Sequence, residues 1–307
     1  MSTKEGQLQQ IKREWIERSK IHKDSMGDED IFIQEMDKQD GEVPKVQKNS
    51  DKIGKIDGEV FRQLEGRTTL RFEVAGNSYF LKRHYGIGWG EIFKNLVSFR
   101  LPVVSAKNEW QAIYHLETQH VDTMKAVAHG EWGINPAQRF SFIITEDLVN
   151  TISLEDLCRP WVDSTPEFTD KQMLLQRVAS MAAKMHLSGM NHRDFYLCHF
   201  LMDDTPSIAI QDRRISLIDL HRAQIRSGGV PPRWLLKDVA GLFFSAFDIG
   251  LTSRDCYRFI SHYSGRCWRV ELQENGDFWS KVMQKALSLY AKDFNRAPPV
   301  FVKRLYR

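Results

Sequence analysis

Alternation of apolar and polar residues organises the chain from residue 60 onward. Val60-Phe61-Arg62-Gln63-Leu64 alternates, Gly66 interrupts, Leu70-Arg71-Phe72-Glu73-Val74 alternates again, and Gly76-Asn77 offers a turn before Tyr79-Phe80-Leu81-Lys82. A period of two places successive side chains on opposite faces, so the pattern predicts three antiparallel strands in succession. Ser105 then reads as a helix N-cap, and Trp110, Ile113 and Leu116 carry a helix to about Gln119. Two more strands, starting at Ala126 and Phe140, surround an Asn135-Pro136 turn, and the second runs into Glu146-Asp147-Leu148.

Beyond Glu146 the period becomes helical. Leu154 to Leu157 is brief, Pro160 and Pro166 mark a loop, and a long helix from Asp170 to Leu187 stops at Gly189. A polar loop follows, then a strand-like run that ends at Asp219, and then a helix from Trp234 to about Phe247 after Pro231-Pro232. The last 60 or so residues read as helices without an assigned role. The change of period predicts an α+β fold of two lobes: a small β-rich lobe over residues 58–145 and a mainly helical one over 146–307. Residues 1–57 are charged and poor in periodic apolar positions, save around Ile11, Trp15 and Ile16. They read as a flexible extension with at most one helix. The glycine-rich turn at 86–91 and the basic, apolar stretch 92–100 fit packing onto the small lobe or contact with a membrane surface.

Composition narrows the classes. A 307-residue chain that is 42% hydrophobic can build a real core. It has no run near the roughly 18 to 20 apolar residues of a membrane span, and its polar first residues predict a cytoplasmic protein. Four cysteines without Cys-x-x-Cys spacing fit reduced thiols. The net charge of +3 hides a polarised chain, because residues 213–307 hold 17 Lys and Arg against 8 Asp and Glu. That excess suits an anionic partner, whether nucleic acid, a phosphorylated substrate or a membrane surface; a solvated face is the ordinary alternative.

Candidate chemistry centres on His192-Arg193-Asp194, which follows the long helix, and on Asp219, 25 residues after Asp194. Helix, loop, strand and acid is the order in which a protein kinase carries its base and its metal ligand. Earlier positions fall in the same order. Gly66 lies in the turn that would cover nucleotide phosphates, Lys82 ends the third strand, and Glu109 sits early on the following helix to pair with it. Glu146 and Leu148 occupy the crossing where backbone groups read adenine. Asp194 is the expected base with Arg193 beside it, Asp219 the expected magnesium (Mg2+) ligand, and ATP the expected phosphoryl donor. Lys237-Asp238 resembles the buried aspartate that holds a kinase catalytic loop.

Two positions depart from the kinase pattern. The first turn has one glycine where a full loop has three, and His199 stands where an asparagine would bind metal. His199 has three open roles: metal ligand, loop orientation, or contact with the β-phosphate. Two rivals follow from the same residues. One is a zinc site drawn from His186, His192, Cys198, His199 and His221, whose spacing matches no familiar ligand set. The other is a catalytically inactive kinase-like module that holds anionic glycolipid or nucleic acid with the basic C-terminal part.

Several longer runs carry a more specific likeness. Leu64-Glu65-Gly66-Arg67-Thr68-Thr69-Leu70-Arg71, Gly86-Ile87-Gly88-Trp89-Gly90-Glu91-Ile92, Asn108-Glu109-Trp110-Gln111-Ala112-Ile113, residues 191–200 with Cys198-His199, and residues 218–224 resemble the lipopolysaccharide core heptose(I) kinases of the WaaP type. The resemblance covers roughly residues 58–290 and leaves residues 1–57 outside. It implies a protein-kinase-like fold, ATP and magnesium as cofactors, and the lipid A-linked heptose of the lipopolysaccharide inner core as acceptor. It also implies a peripheral position on the inner face of the inner membrane of Gram-negative bacteria, with Asp194 as base and no nucleic-acid partner.

Overall fold

The computed structural model describes residues 56–64, 66–86, 105–133, 135 and 139–299. The charged extension with its helix near Trp15, the stretch through 87–104 and the basic ending at Lys303, Arg304 and Arg307 lie outside the described residues. The chain divides into two compact units, residues 1–111 with 124–149, and residues 112–123 with 150–307.

The first unit is built on a five-stranded antiparallel sheet. Its strands are β1 (Glu59–Leu64), β2 (Arg67–Val74), β3 (Asn77–His84), β4 (Ala126–Trp132) and β5 (Phe140–Glu146), in spatial order β1-β2-β3-β5-β4. The period-2 runs became strands because one face could bury. Leu70, Tyr79, Leu81, Phe142 and Ile144 form a single cluster on that face. Gly66 turns β1 into β2 at φ +74, a conformation that favours glycine, and its carbonyl accepts the N–H of Tyr85 at 2.8 Å. Helix α1 (Lys107–Thr118) follows Ser105, whose Oγ accepts the N–H of Lys107 at 3.0 Å and so acts as the expected cap.

The second unit is mainly helical. Helices α2 (Leu154–Cys158), α3 (Phe168–Leu187), α4 (Pro232–Ser245), α5 (Ser253–Ser264) and α6 (Trp268–Phe294) carry it. Two small sheets lie among them. One orders β6 (Thr151–Ser153), β8 (Phe200–Asp203) and β9 (Ile215–Leu217) as β6-β8-β9; the other pairs β7 (Met190–Asn191) with β10 (Gln224–Ile225). β9 stops at Leu217. Asp219 is therefore not a strand residue, as its apolar neighbours suggested, but sits in the left-handed region at φ 61, ψ 48. Gly189 ends the long helix at φ +86 where a Cβ would lie 2.2 Å from the Arg226 carbonyl oxygen, so the backbone just after β10 approaches as only glycine permits. Among the described residues no helix is long and apolar enough to cross a membrane.

Candidate functional site

In the first unit, strand β3 delivers Lys82 and the first turn of α1 delivers Glu109. Lys82 Nζ donates to Glu109 Oε1 in an ion pair whose carboxylate is fully buried. A buried carboxylate keeps its charge only beside a partner of this kind, and the pairing fixes the ammonium at the inner end of the strand. Glu109 Oε2 has no hydrogen-bond partner among the described residues. At the other end of β5, Glu146 donates its N–H to the Lys125 carbonyl at 2.9 Å and its carboxylate meets Lys125 Nζ at 3.2 Å. That N–H is thus already committed. Leu148 follows, half-buried. Asp147 ties the crossing to the sheet, accepting from Ser78 Oγ and pairing with Arg71 Nε, each at 2.8 Å.

In the second unit, the loop after β7 is shaped from below by Asp238 of α4. Fully buried, Asp238 accepts the N–H of His192 at 2.6 Å and that of Arg193 at 2.8 Å. Two charge-assisted bonds to successive amides hold the loop in a conformation it would not adopt alone, since Arg193 has φ 76. His192 fixes the other side of the loop, its Nε2–H donating to the Ile218 carbonyl at 2.9 Å, and burial pushes its pKa below the usual value. The loop so held projects Asp194, which is 18% exposed and can be reached by a substrate.

His199 lies between Asp194 and Asp219. Its Nδ1 lies 2.7 Å from the Asp194 carbonyl oxygen, an acceptor only, so Nδ1 carries the hydrogen. In the neutral ring Nε2 then presents a lone pair, and it faces Asp219 Oδ2 at 3.6 Å. Asp219 Oδ1 accepts from His221 Nδ1 at 2.6 Å. Such an acid, a quarter exposed, offers the carboxylate oxygen that a magnesium ion takes, with phosphates and water completing the shell; the imidazole nitrogen beside it is a softer donor that suits so hard a cation less well. The zinc alternative finds no support in the geometry. His186 is occupied by Tyr263 at 2.8 Å and by Asp238 at 3.4 Å, and no group of three or more His, Cys, Asp or Glu among the described residues could hold a metal ion.

Asp194, His199 and Asp219 come together, as do Lys82 and Glu109. Arg193 turns its guanidinium over the Trp234 ring, 4.7 Å from the centroid, and not toward Asp194. The cation on Asp194 is one that sequence reasoning missed: Arg222 places one nitrogen 3.0 Å from each carboxylate oxygen, with Lys237 Nζ at 4.0 Å. Arg222 lies three residues past Asp219, which was a signal in plain view.

Comparison with known proteins accords with this geometry. Residues 51–263 match the lipopolysaccharide kinase (Kdo/WaaP) family. The chain is 54% identical over 226 residues to the lipopolysaccharide core heptose(I) kinase WaaP of Escherichia coli strain K12, covering 73% of this chain and 84% of that one. The enzyme of the same name from Pseudomonas aeruginosa is 48% identical over 237 residues, 77% of this chain and 88% of its own length. A solved structure, WaaP in complex with acyl carrier protein, superposes with a TM-score of 0.69 at 42% identity, covering 78% of this chain and 92% of that chain. The chain is a member of the lipopolysaccharide kinase (Kdo/WaaP) family, with the protein-kinase-like α+β fold of that family and its use of ATP.

Proposed function

We propose that this chain is a lipopolysaccharide core heptose(I) kinase, transferring the γ-phosphoryl group of ATP to a hydroxyl of the first heptose of the inner core. The observation that carries the chemistry is His199, which hydrogen-bonds the Asp194 carbonyl and sets its Nε2 beside the Asp219 carboxylate. The heptose itself rests on the relatives' activity. Phosphoryl transfer asks mainly for positioning and charge stabilisation, with little covalent work by the protein.

Asp194 orients the acceptor hydroxyl and takes its proton as the bond to phosphorus forms, with Arg222 holding the carboxylate in place. Lys82, pinned by Glu109, holds the α- and β-phosphates, and Gly66 lets the first turn approach them. Magnesium would be held by Asp219, with His199 Nε2 as the second protein donor; when bound it neutralises developing phosphate charge. Residues 58–145 would thus serve the nucleotide phosphates, and residues 146–307 the metal and acceptor. The positive segment 213–307 supports a peripheral position on the anionic inner face of the inner membrane. We also infer an acyl carrier protein as a partner, supported by the complex of the solved relative and by an apolar cavity in the second unit lined by Leu174, Val178, Leu242, Phe243 and Phe259.

Purified protein given γ-labelled ATP, magnesium and core glycolipid lacking heptose phosphate tests the reading. Label is expected in the first heptose, falling with salt more steeply than ATP hydrolysis does, since exposed charges are screened within about 8 Å at physiological ionic strength. ATP turnover with label on another acceptor would leave a kinase of different substrate. Absence of any turnover would favour the inactive binding module.

A further inference from the structure

The cations gathered beyond Asp194 outnumber the carboxylates able to neutralise them. Asp194 is shared between Arg222 and Lys237, and Asp238 is committed to the backbone amides of His192 and Arg193. Around the Trp234 ring, at the start of α4, stand three cationic groups: Arg193 Cζ at 4.7 Å, Arg233 Cζ at 5.3 Å and Lys237 Nζ at 5.8 Å from the centroid. Arg226 bonds Asn191 Oδ1 at 2.5 Å and Gln224 Oε1, both neutral oxygens. Among the described residues no carboxylate lies within ion-pair distance of Arg226 or Arg233. Arg193, only 7% exposed, has an Nε with no hydrogen-bond partner.

The electrostatics agree with this crowding. Burial and then the neighbouring Arg233 lower the pKa of Arg226; burial and then Arg222 lower that of Arg193. Lys237 is lowered by burial, with Arg222 and Arg193 opposing the help it receives from Asp194. Like charges this close weaken the fold unless an anion offsets them. Flat guanidinium forks, braced on an aromatic ring, are the groups that grip carboxylate and phosphate in two-point fashion.

We propose that Arg233 and Lys237, gathered with Arg193 at the Trp234 ring, form together with Arg226 beside Arg233 an oxyanion subsite for the acceptor, taking a carboxylate or phosphate carried near the hydroxyl that Asp194 orients. The subsite rests on the kinase reading and specifies its substrate as an acidic glycan. It selects acceptors by charge: an uncharged sugar with the same hydroxyl leaves Arg226 and Arg233 without a counter-ion.

The test measures KM for glycolipid acceptor and for ATP in the wild type, Arg226→Gln, Arg233→Gln and the double variant. Each single change should raise acceptor KM on the order of tenfold, the cost of one charge-assisted hydrogen bond. ATP KM should stay at the wild-type value, melting temperature without acceptor should not fall for Arg233→Gln, and Arg233→Lys should recover part of the loss. Acceptors with reduced carboxyls, or with phosphates removed, separate the two sources of the anion. The effect of the variants should vanish on the acceptor lacking the group that binds. A rise in ATP KM with unchanged acceptor KM would assign the cations to the nucleotide and overturn the proposal, as would no change in either. Should the wild type transfer no label, the kinase reading falls by itself. The subsite is then judged by equilibrium binding of the glycolipid without ATP, which must weaken in the double variant for the proposal to stand.

Discussion

His199 stands where a kinase carries an asparagine, and one ring offers a donor and an acceptor as an amide side chain would. Its Nδ1–H is given to the Asp194 carbonyl, which leaves Nε2 to face Asp219. Asparagine carries a donor and an acceptor on one planar group, so His199→Asn should keep transfer within about tenfold of wild type, whereas His199→Ala removes both contacts and should lose more. Magnesium titrations of transfer rate distinguish the roles: an inactive asparagine variant with unchanged magnesium affinity would show that the ring acts by another route. Asp219→Asn removes the charge while keeping the shape. It should weaken magnesium-dependent nucleotide binding on the order of tenfold or more, by the loss of a charge-assisted contact, and an unaltered metal dependence would reassign the residue. These roles were only partly legible in the sequence. Asp194, Asp219 and His199 stood out by order and spacing, but Arg222 reaches Asp194 across 28 positions and Lys237 across 43, and such pairing belongs to the fold and not to local pattern.

Elements formed where periodicity was long and departed from expectation where tertiary contacts decided. The strands around Leu70, Leu81 and Phe142 and the helix ending at Leu187 follow their patterns because each buries one face. The two-residue strands β7 and β10 carry no pattern to read. They pair because Gly189 lets the chain pass against Arg226. Gly189→Ala should therefore cost more than the roughly 1–2 kcal/mol of a left-handed alanine, because its Cβ also meets backbone, and a denaturant midpoint equal to wild type would contradict this. His129 on β4 makes a pH-dependent claim on the same scale. Stacked on Trp110 and buried, it has a pKa lowered from 6.5 to about 4, by burial first, with Lys107 adding to this and Glu131 opposing it. The unfolded chain takes up a proton near pH 6.5 and the folded one does not, so its contribution to stability is full above that pH. It falls as pH drops toward 4, by roughly 3 kcal/mol in all, and levels off below. In His129→Phe, unfolding measured from pH 7 to 4 should show a shallower decline than wild type; identical slopes would show that His129 is not the group.

On the scale of the whole molecule, each compact unit carries a constellation of its own, and 54% identity to a curated relative places the chain in a family of kinases. The helical second unit carries Asp194, Asp238 beneath its loop and the surplus of cations. Under the proposed function these parts would hold a charged acceptor, and the fully buried Glu109 held against Lys82 in the first unit is the pairing a kinase uses to hold its phosphate-binding lysine. The central claim is that Asp194 is the base of phosphoryl transfer to a core heptose. Its most direct test sets wild type beside Asp194→Ala in single-turnover transfer from γ-labelled ATP to core glycolipid, with nucleotide affinity measured on the same samples. The account predicts label in the first heptose for wild type. It predicts a rate about 10²–10⁴-fold lower for the variant, and equal nucleotide affinity in both. Equal transfer by the two proteins, or a nucleotide affinity that falls in parallel with the rate, would contradict it.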